Sequence, residues 1–464
     1  MIADKLCEWL ATSREPQRVK LLALRDKHVG DLAAMSDADH RRVVREIKKR
    51  LNSPKLADEV GQLLALLVRD YAPEPPPPAP VEPAAPSPPL DQQVAFEAAI
   101  AADPDNRDSY LVYGDWLEQR GDPRGALIAI GTELVKNPTH AKMLAAHRDH
   151  LAAHPEILGP LVGCMDMLTD VEWAYGFIRA CRVATTFERF DHELPPGQTR
   201  ALVSDVLRSL LDGHGPGRFL RQLTLGMVNF DGGNDYEPAI EALAAAPRPT
   251  LRTLYLGDFT RDQSELNWAS LGGLHALWPQ VPNLRELTLR GGSMKQLGPI
   301  SLPKLARFTT ITGGLDAESL EHIARAAWPE LRLLSLQIGL GHQGAATNVR
   351  FVEPLLAGTT TPKLTSLGIL NCGFTEELVD RLVDSPLVAQ LTTLDLSMGT
   401  LGERGVDVLC AHAERFAHLV LHIDDNYVTA DGCAALRQVF KEVHVGTQRD
   451  DAGDPEDRHA SAYE

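Results

Sequence analysis

A chain of 464 residues exceeds one ordinary domain and corresponds to roughly three units of about 150 residues. With 44% hydrophobic and 23% charged residues it has the composition of a globular protein and ample material for a large core. The formal charge of −17, from 46 basic against 63 acidic side chains, argues against generic nucleic-acid or anionic-membrane binding, because a phosphate surface needs Lys and Arg to displace its counterions.

The N-terminal stretch MIADKLCEWLATSREPQRVK has early acidic residues and no apolar core of the kind a secretory signal needs. No apolar run approaches the length of a transmembrane helix. Cys7, Cys164, Cys181, Cys372, Cys410 and Cys433 form no CxxC and no disulfide or zinc spacing. The expectation is a cytoplasmic protein with reduced thiols.

Residues 1–71 read as a helical module. Ile2, Leu6, Trp9 and Leu10 recur at helical spacing. Ser36 and Asp39 form a weak capping pattern ahead of Val43, Val44, Ile47 and Leu51. Pro54 can open a last helix carrying Val60, Leu63, Leu64 and Leu67. The run RRVVREIKKR makes this module basic where the rest is acidic. A solvated helix face accounts for it; a docking surface for an acidic partner is the functional alternative. Residues 72–90 are dense in proline, which fixes φ and removes the backbone donor, so they predict an extended, semi-rigid linker.

Residues 91–135 predict three short helices. Phe96, Ala99 and Ile100 form one apolar stripe, and Asp103-Pro104-Asp105-Asn106 a stop and turn. Leu111, Val112, Trp116 and Leu117 mark a second helix, ended by Gly121-Asp122-Pro123, and Gly125 to Leu134 a third. These residues resemble the repeat-companion module found beside leucine-rich repeats in myxobacterial and planctomycete proteins. The resemblance rests on Phe96, Ile100, Asp103-Pro104-Asp105, Leu111-Val112-Tyr113-Gly114-Asp115-Trp116-Leu117 and Gly121-Asp122-Pro123-Arg124. Gly114 stands where that family usually has Ala, and Gln119 where it has an acidic residue. The later segment VEWAYGFIRACRV also resembles the stretch that follows such modules. The resemblance implies a non-catalytic module, with Trp116 in a core and Asp115 structural. Residues 136–219 are expected to bridge to the repeats and cap them.

From residue 220 the chain repeats. Apolar residues occupy relative positions one, four and six in Leu220-Leu223-Leu225, Leu251-Leu254-Leu256, Leu284-Leu287-Leu289, Leu331-Leu334-Leu336, Leu364-Leu367-Ile369 and Leu391-Leu394-Leu396. Leu305-Phe308 starts a degraded copy and Leu421-Ile423 closes the series. Start-to-start separations, by subtraction, are 31, 33, 21, 26, 33 and 27, with 27 more from Leu394 to Leu421. This spread centres on the leucine-rich repeat period. Helical patterns (ESLEHIARAAW, TEELVDRLV, ERGVDVLCAHA) lie between the copies. The predicted class is α/β: a strand–helix leucine-rich repeat solenoid of the ribonuclease-inhibitor-like kind over 220–447, preceded by small helical modules. Cys372 and Asn426 fall where such repeats carry Asn or Cys, whereas Gly292, Gly313, Gly339 and Gly399 replace that residue elsewhere. Residues 448–464 read as a disordered acidic tail.

Side chains alternate across a strand, so relative positions three, five, seven and eight should face away from the leucine core. This nominates Tyr255, Asp258, Glu286, Arg290, Arg307, Gln337, Asn371, Asp395, Ser397, His422, Asp424 and Asp425 as a concave partner-binding face. Other chemistry reads weakly. Gly339-x-Gly341-x-x-Gly344 matches a dinucleotide fingerprint but needs a helix opening at once and an acidic residue further on, where another strand is expected. His140, His147, His150 and His154 share a helix face without an HExxH, and a solvated face explains them better than zinc. No GxSxG, P-loop or catalytic-Cys signature appears. The reading is therefore a non-enzymatic scaffold without cofactor or metal, binding a protein partner on the concave face, with the N-terminal module as a second docking unit. The alternative is a regulatory or latent effector protein in a stress or defence pathway, controlled by cleavage of the proline-rich linker. A small-molecule enzyme ranks third.

Overall fold

The computed structural model describes residues 90–191, 200–230, 233–450 and 458–461. The chain divides into two compact units, Met1–Pro88 and Pro89–Glu464, and every described residue belongs to the second. The helices read within 1–71 and the proline-rich spacer as far as Pro89 lie outside the described residues.

Three helices open the second unit: α1 (Leu90–Ala102), α2 (Arg107–Glu118) and α3 (Arg124–Lys136). Asn106 ends the first turn and caps α2, its side chain accepting the Asp108 amide. Gly121, at φ +71, reverses the chain after α2, and the Arg124 amide donates to the Asp122 carboxylate at the start of α3. Helices α2 and α3 meet at two glycines: a Cβ on Gly125 would stand 2.7 Å from the Gly114 carbonyl oxygen. Tyr110, Tyr113, Trp116, Leu117 and Ile128 fill the space between them. Trp116 is buried and donates its indole N–H to Gln92, while Asp115 is exposed.

Helix α4 (Ala141–Ala153) and a run of 3₁₀ turns lead to a hairpin, β1 (Leu168–Ala174) and β2 (Phe177–Val183). Its tip, Tyr175-Gly176, has positive φ at both residues, the geometry that matches strand twist in a two-residue turn. Strand β2 then pairs in parallel with β3 (Gln222–Leu225), and every later pair of strands is parallel. The remaining strands are β4 (Asn234–Asp235), β5 (Thr253–Leu256), β6 (Ala269–Ser270), β7 (Glu286–Met294), β8 (Arg307–Leu315), β9 (Leu333–Gln337), β10 (Ser366–Leu370), β11 (Thr393–Asp395), β12 (Val420–His422) and β13 (Glu442–His444). The sheet runs β1-β2-β3-β5-β7-β8-β9-β10-β11-β12-β13, with β4 and β6 off this path, and does not close into a barrel.

Short strands cannot bury a face alone, and stacking solves this. Leu223, Leu254, Leu287, Phe308, Leu334, Leu367, Leu394 and Leu421 stand in register from strand to strand. All are buried in one continuous core, where each such side chain contributes about 1.5–3 kcal/mol relative to exposure. A second row, Leu225, Leu256, Leu289, Thr310, Leu336 and Ile369, runs beside it. Helices α5 (Val203–Leu211), α6 (Glu237–Ala244), α7 (Ala317–Arg325), α8 (Thr375–Asp384), α9 (Glu403–Ala411) and α10 (Ala430–Val439) bury apolar stripes in the same core. The last copies are the most regular. Asn371, Met398 and Asp425, spaced 27 apart, all adopt left-handed backbone as the chain leaves the strand. Asn426 is fully buried, donating to the Leu396 and Ile423 carbonyls and accepting the Leu401 amide.

The signature residues of the helical module hold it against the sheet. Buried Arg179 on β2 donates to the Tyr110 hydroxyl and to the Pro104 carbonyl. Arg221 pairs with Asp105, and Arg218 donates to the Tyr113 hydroxyl while lying 3.5 Å from Glu97. Tyr110 stacks on Tyr175 with centroids 4.4 Å apart. Burial pushes the Tyr110 phenol up to about 12 despite the opposing pull of Arg179.

Residues 448–450 and 458–461, read from the sequence as part of a disordered tail, are held in place. Arg449 donates to the carbonyls of Asp425 and His459, Tyr427 donates to the His459 carbonyl, and the Ser461 amide donates to Met398. Polar composition suggested disorder, but backbone carbonyls of the last turns supply the partners.

Candidate functional site

Two in-register rows cover the sheet face opposite the leucines. Relative position five gives Thr224, Tyr255, Thr288, Thr309, Ser335, Gly368, Asp395, His422 and His444. Position three gives Gln222, Thr253, Glu286, Arg307, Leu333, Ser366, Thr393, Val420 and Glu442. From Thr224 to Ser335 the first row is a half-buried ladder of hydroxyls. The sequence reading missed this ladder except for Tyr255, although small hydroxylated residues at position five were its visible signal.

The nominated residues divide into three groups. Glu286 and Arg307 are exposed, stand side by side across β7 and β8, and form no ion pair among the described residues. Tyr255, Asp395 and His422 are half-buried in the first row, and Asp424 is exposed. The His422 ring stacks on His444 with centroids 4.4 Å apart and planes 14° from parallel. His444 also sits 3.0 Å from Glu442. Asp424 accepts the Thr447 amide.

A second group is engaged within the chain. Asp258 lies 2.5 Å from Arg182 of β2, which also donates to the Asp258 carbonyl. The Arg182 guanidinium lies against Gly226, where a Cβ would block it. Arg290 donates to the Phe259 carbonyl with its guanidinium 4.3 Å from the Phe259 ring centre. Asp425 pairs with Arg449 at 3.2 Å and accepts the Ser461 hydroxyl. These charges hold the ends of strands together.

The third group corrects the expectation of exposure. Gln337 is 4% exposed, Asn371 1% and Ser397 8%. Strict alternation holds only while the backbone remains extended. Asn371 and Ser397 lie beyond the ends of β10 and β11, Asn371 at φ +50. Gln337 is the last residue of β9, in register with Leu370, whose side chain curls back over Gly368. The Gln337 Nε2 and both polar atoms of the Asn371 amide are buried without a hydrogen-bond partner among the described residues.

The alternative chemistries dissolve in the geometry. Gly339 is followed by a 3₁₀ turn at Gly341–Gln343, and the helix a dinucleotide fingerprint requires does not open there. His147 turns inward, edge-on to Trp173 at 4.9 Å, His150 lies 2.8 Å from the Pro123 carbonyl, and His154 pairs with Glu156. Among the described residues, no three His, Cys, Asp or Glu side chains converge as metal ligands. None of the helices there is long and apolar enough to cross a membrane.

Neither known family models nor curated protein sequences match the chain. Its fold is similar to the crystal structure of a Bacteroides fragilis protein, a structural-genomics target. The TM-score is 0.51 at 20% identity, over 67% of this chain and 85% of that one. At such identity the likeness concerns the fold alone.

Proposed function

We propose that Pro89–Glu464 is a leucine-rich repeat platform, led by a repeat-companion module, that binds a protein partner on the face opposite its leucines. The binding is non-catalytic and cytoplasmic, and the N-terminal segment serves as a second docking unit tethered by the proline-rich stretch. One observation carries the reading: eight apolar residues in register turn one face into a dry core. The other face keeps a continuous row of hydroxyls edged by Glu286 and Arg307. Such a face offers hydrogen bonds and charge to an extended surface, which suits a protein better than a small substrate. Burial pushes the Cys181 and Cys372 thiols up to about 12, so neither is a reactive thiolate.

The test exchanges the unpaired charges. Full-length protein carrying Glu286→Lys and Arg307→Glu should keep its urea midpoint. Partner recovered stoichiometrically by the wild-type chain should fall about tenfold, because complementary charge across the contact becomes repulsive. Undiminished recovery by the double variant would overturn the assignment of this face.

A further inference from the structure

A second surface feature lies apart from the two rows, where the chain leaves β3 and β5. A cleft of about 240 Å³ is lined by Phe230, Asn234, Glu265 and Trp268 among others. Trp268 is 61% exposed. Trp116, Trp278 and Trp328 are buried, and each donates its indole N–H to an internal acceptor. The Trp268 N–H has no acceptor among the described residues. Glu265 begins the 3₁₀ turn that carries Trp268, is exposed, and its carboxylate has no partner among the described residues. Phe187, 57% exposed, braces Phe230 edge-on, with centroids 5.8 Å apart at 84°. Asn234 accepts the Val228 and Asn229 amides and donates to the Tyr236 hydroxyl.

We propose that this cleft seats a lysine or arginine side chain from a basic segment of a partner protein. An indole face attracts a cation through its quadrupole, and tryptophan does so most strongly. Glu265, three residues ahead of Trp268, supplies the counter-charge and repels anions. The aliphatic stem of the incoming side chain lies along Phe230 and Met227, which also lines the cleft. The net charge of −17 steers a basic segment toward the surface before it docks. On the adjoining turn, exposed Arg261 and Asp262 carry opposite charges. This site is independent of the concave-face reading, and either can fail without the other.

The experiment uses the full-length chain and fluorescein-labelled octalysine, followed by anisotropy, with octaglutamate as the opposite-charge probe. Octalysine should bind and octaglutamate should not. Trp268→Ala leaves net charge unchanged and should weaken octalysine binding about fivefold, mid-range for a cation–π contact. Glu265→Gln should weaken it more than Asp262→Asn, which removes the same charge outside the cleft. All three variants should unfold at the wild-type urea midpoint. Three results would overturn the proposal: no octalysine binding, equal affinity for wild type and Trp268→Ala, or equal losses from Glu265→Gln and Asp262→Asn.

Discussion

Thr310 and Thr312 lie two residues apart on β8, and replacing each by valine should move stability in opposite directions. Thr310 occupies the place of a leucine in the second core row, between Leu289 and Leu336, and is 1% exposed. Its hydroxyl has no partner among the described residues. Burying an unpaired hydroxyl costs about 1–3 kcal/mol, so a methyl of nearly the same volume should stabilise the protein by about 1–2 kcal/mol. Thr312 is equally buried, but its hydroxyl donates to the Gly292 carbonyl at 3.0 Å and accepts the Gly314 amide at 3.1 Å. Valine there strands a buried donor and acceptor, and should destabilise by about 2 kcal/mol. Urea unfolding followed by near-ultraviolet circular dichroism reads both as midpoint shifts at constant slope. A Thr310→Val protein no more stable than wild type would mean that its hydroxyl is satisfied, and the account of this strand as the damaged member of the core would fail. Shifts of the same sign at both sites would refute the reasoning as a whole.

Two further outcomes test how the helical module is held. A Cβ on Gly131 of α3 would penetrate the Gly176 backbone at the hairpin tip, so Gly131→Ala should cost about 3 kcal/mol in the same urea assay. Gly163→Ala, where nothing lies within 4 Å, should change stability by less than about 0.5 kcal/mol. The buried phenols give a pH signature. With Tyr110 raised to about 12, and Tyr113 and Tyr236 also raised by burial, the folded state favours their neutral forms. The stability they contribute is fully present below the ordinary phenol value near 10 and is lost as pH climbs toward 12. A tyrosinate absorbance titration should therefore show these three ionising only as the fold is lost; normal titration of all eight tyrosines with structure intact would contradict it.

What the sequence disclosed was what periodicity can carry. Leucines at positions one, four and six located the strands because each is buried by the same neighbours in every copy. Position five was regular from Thr224 to Ser335, and its hydroxyls there could have been read as a row. Positions seven and eight could not, because outside β7 and β8 they lie at or beyond the end of the strand. Asp258 and Ser397 lie past their strands, and Asn371 has turned left-handed, so alternation no longer says which way a side chain faces. The copy begun by Leu305 was visibly degraded, but only its neighbours Leu289 and Leu336 show that Thr310 takes the place of a core leucine. Nothing local in the sequence announces that Tyr110, Tyr113 and Pro104 will enclose Arg179 and Arg218.

If the proposed partner-binding role holds, the internal use of charge limits what the face can offer. Arg182 on β2 and Arg290 on β7 are spent on Asp258, Phe259 and strand-end carbonyls. Arg449 takes Asp425 at the other end. What stays open is a neutral hydroxyl ladder, one exposed Glu286–Arg307 couple in mid-face, and an end bearing Asp395, Asp424 and Glu442 around the stacked His422 and His444. Hydrogen bonding along the ladder would then set affinity, with charge fixing register at two places. Such a face rewards a partner of defined shape over any polycation, since the neutral ladder separates its charged places. That separates it from the proposal for the Trp268 cleft, in which a single cationic side chain on an aromatic wall carries the contact.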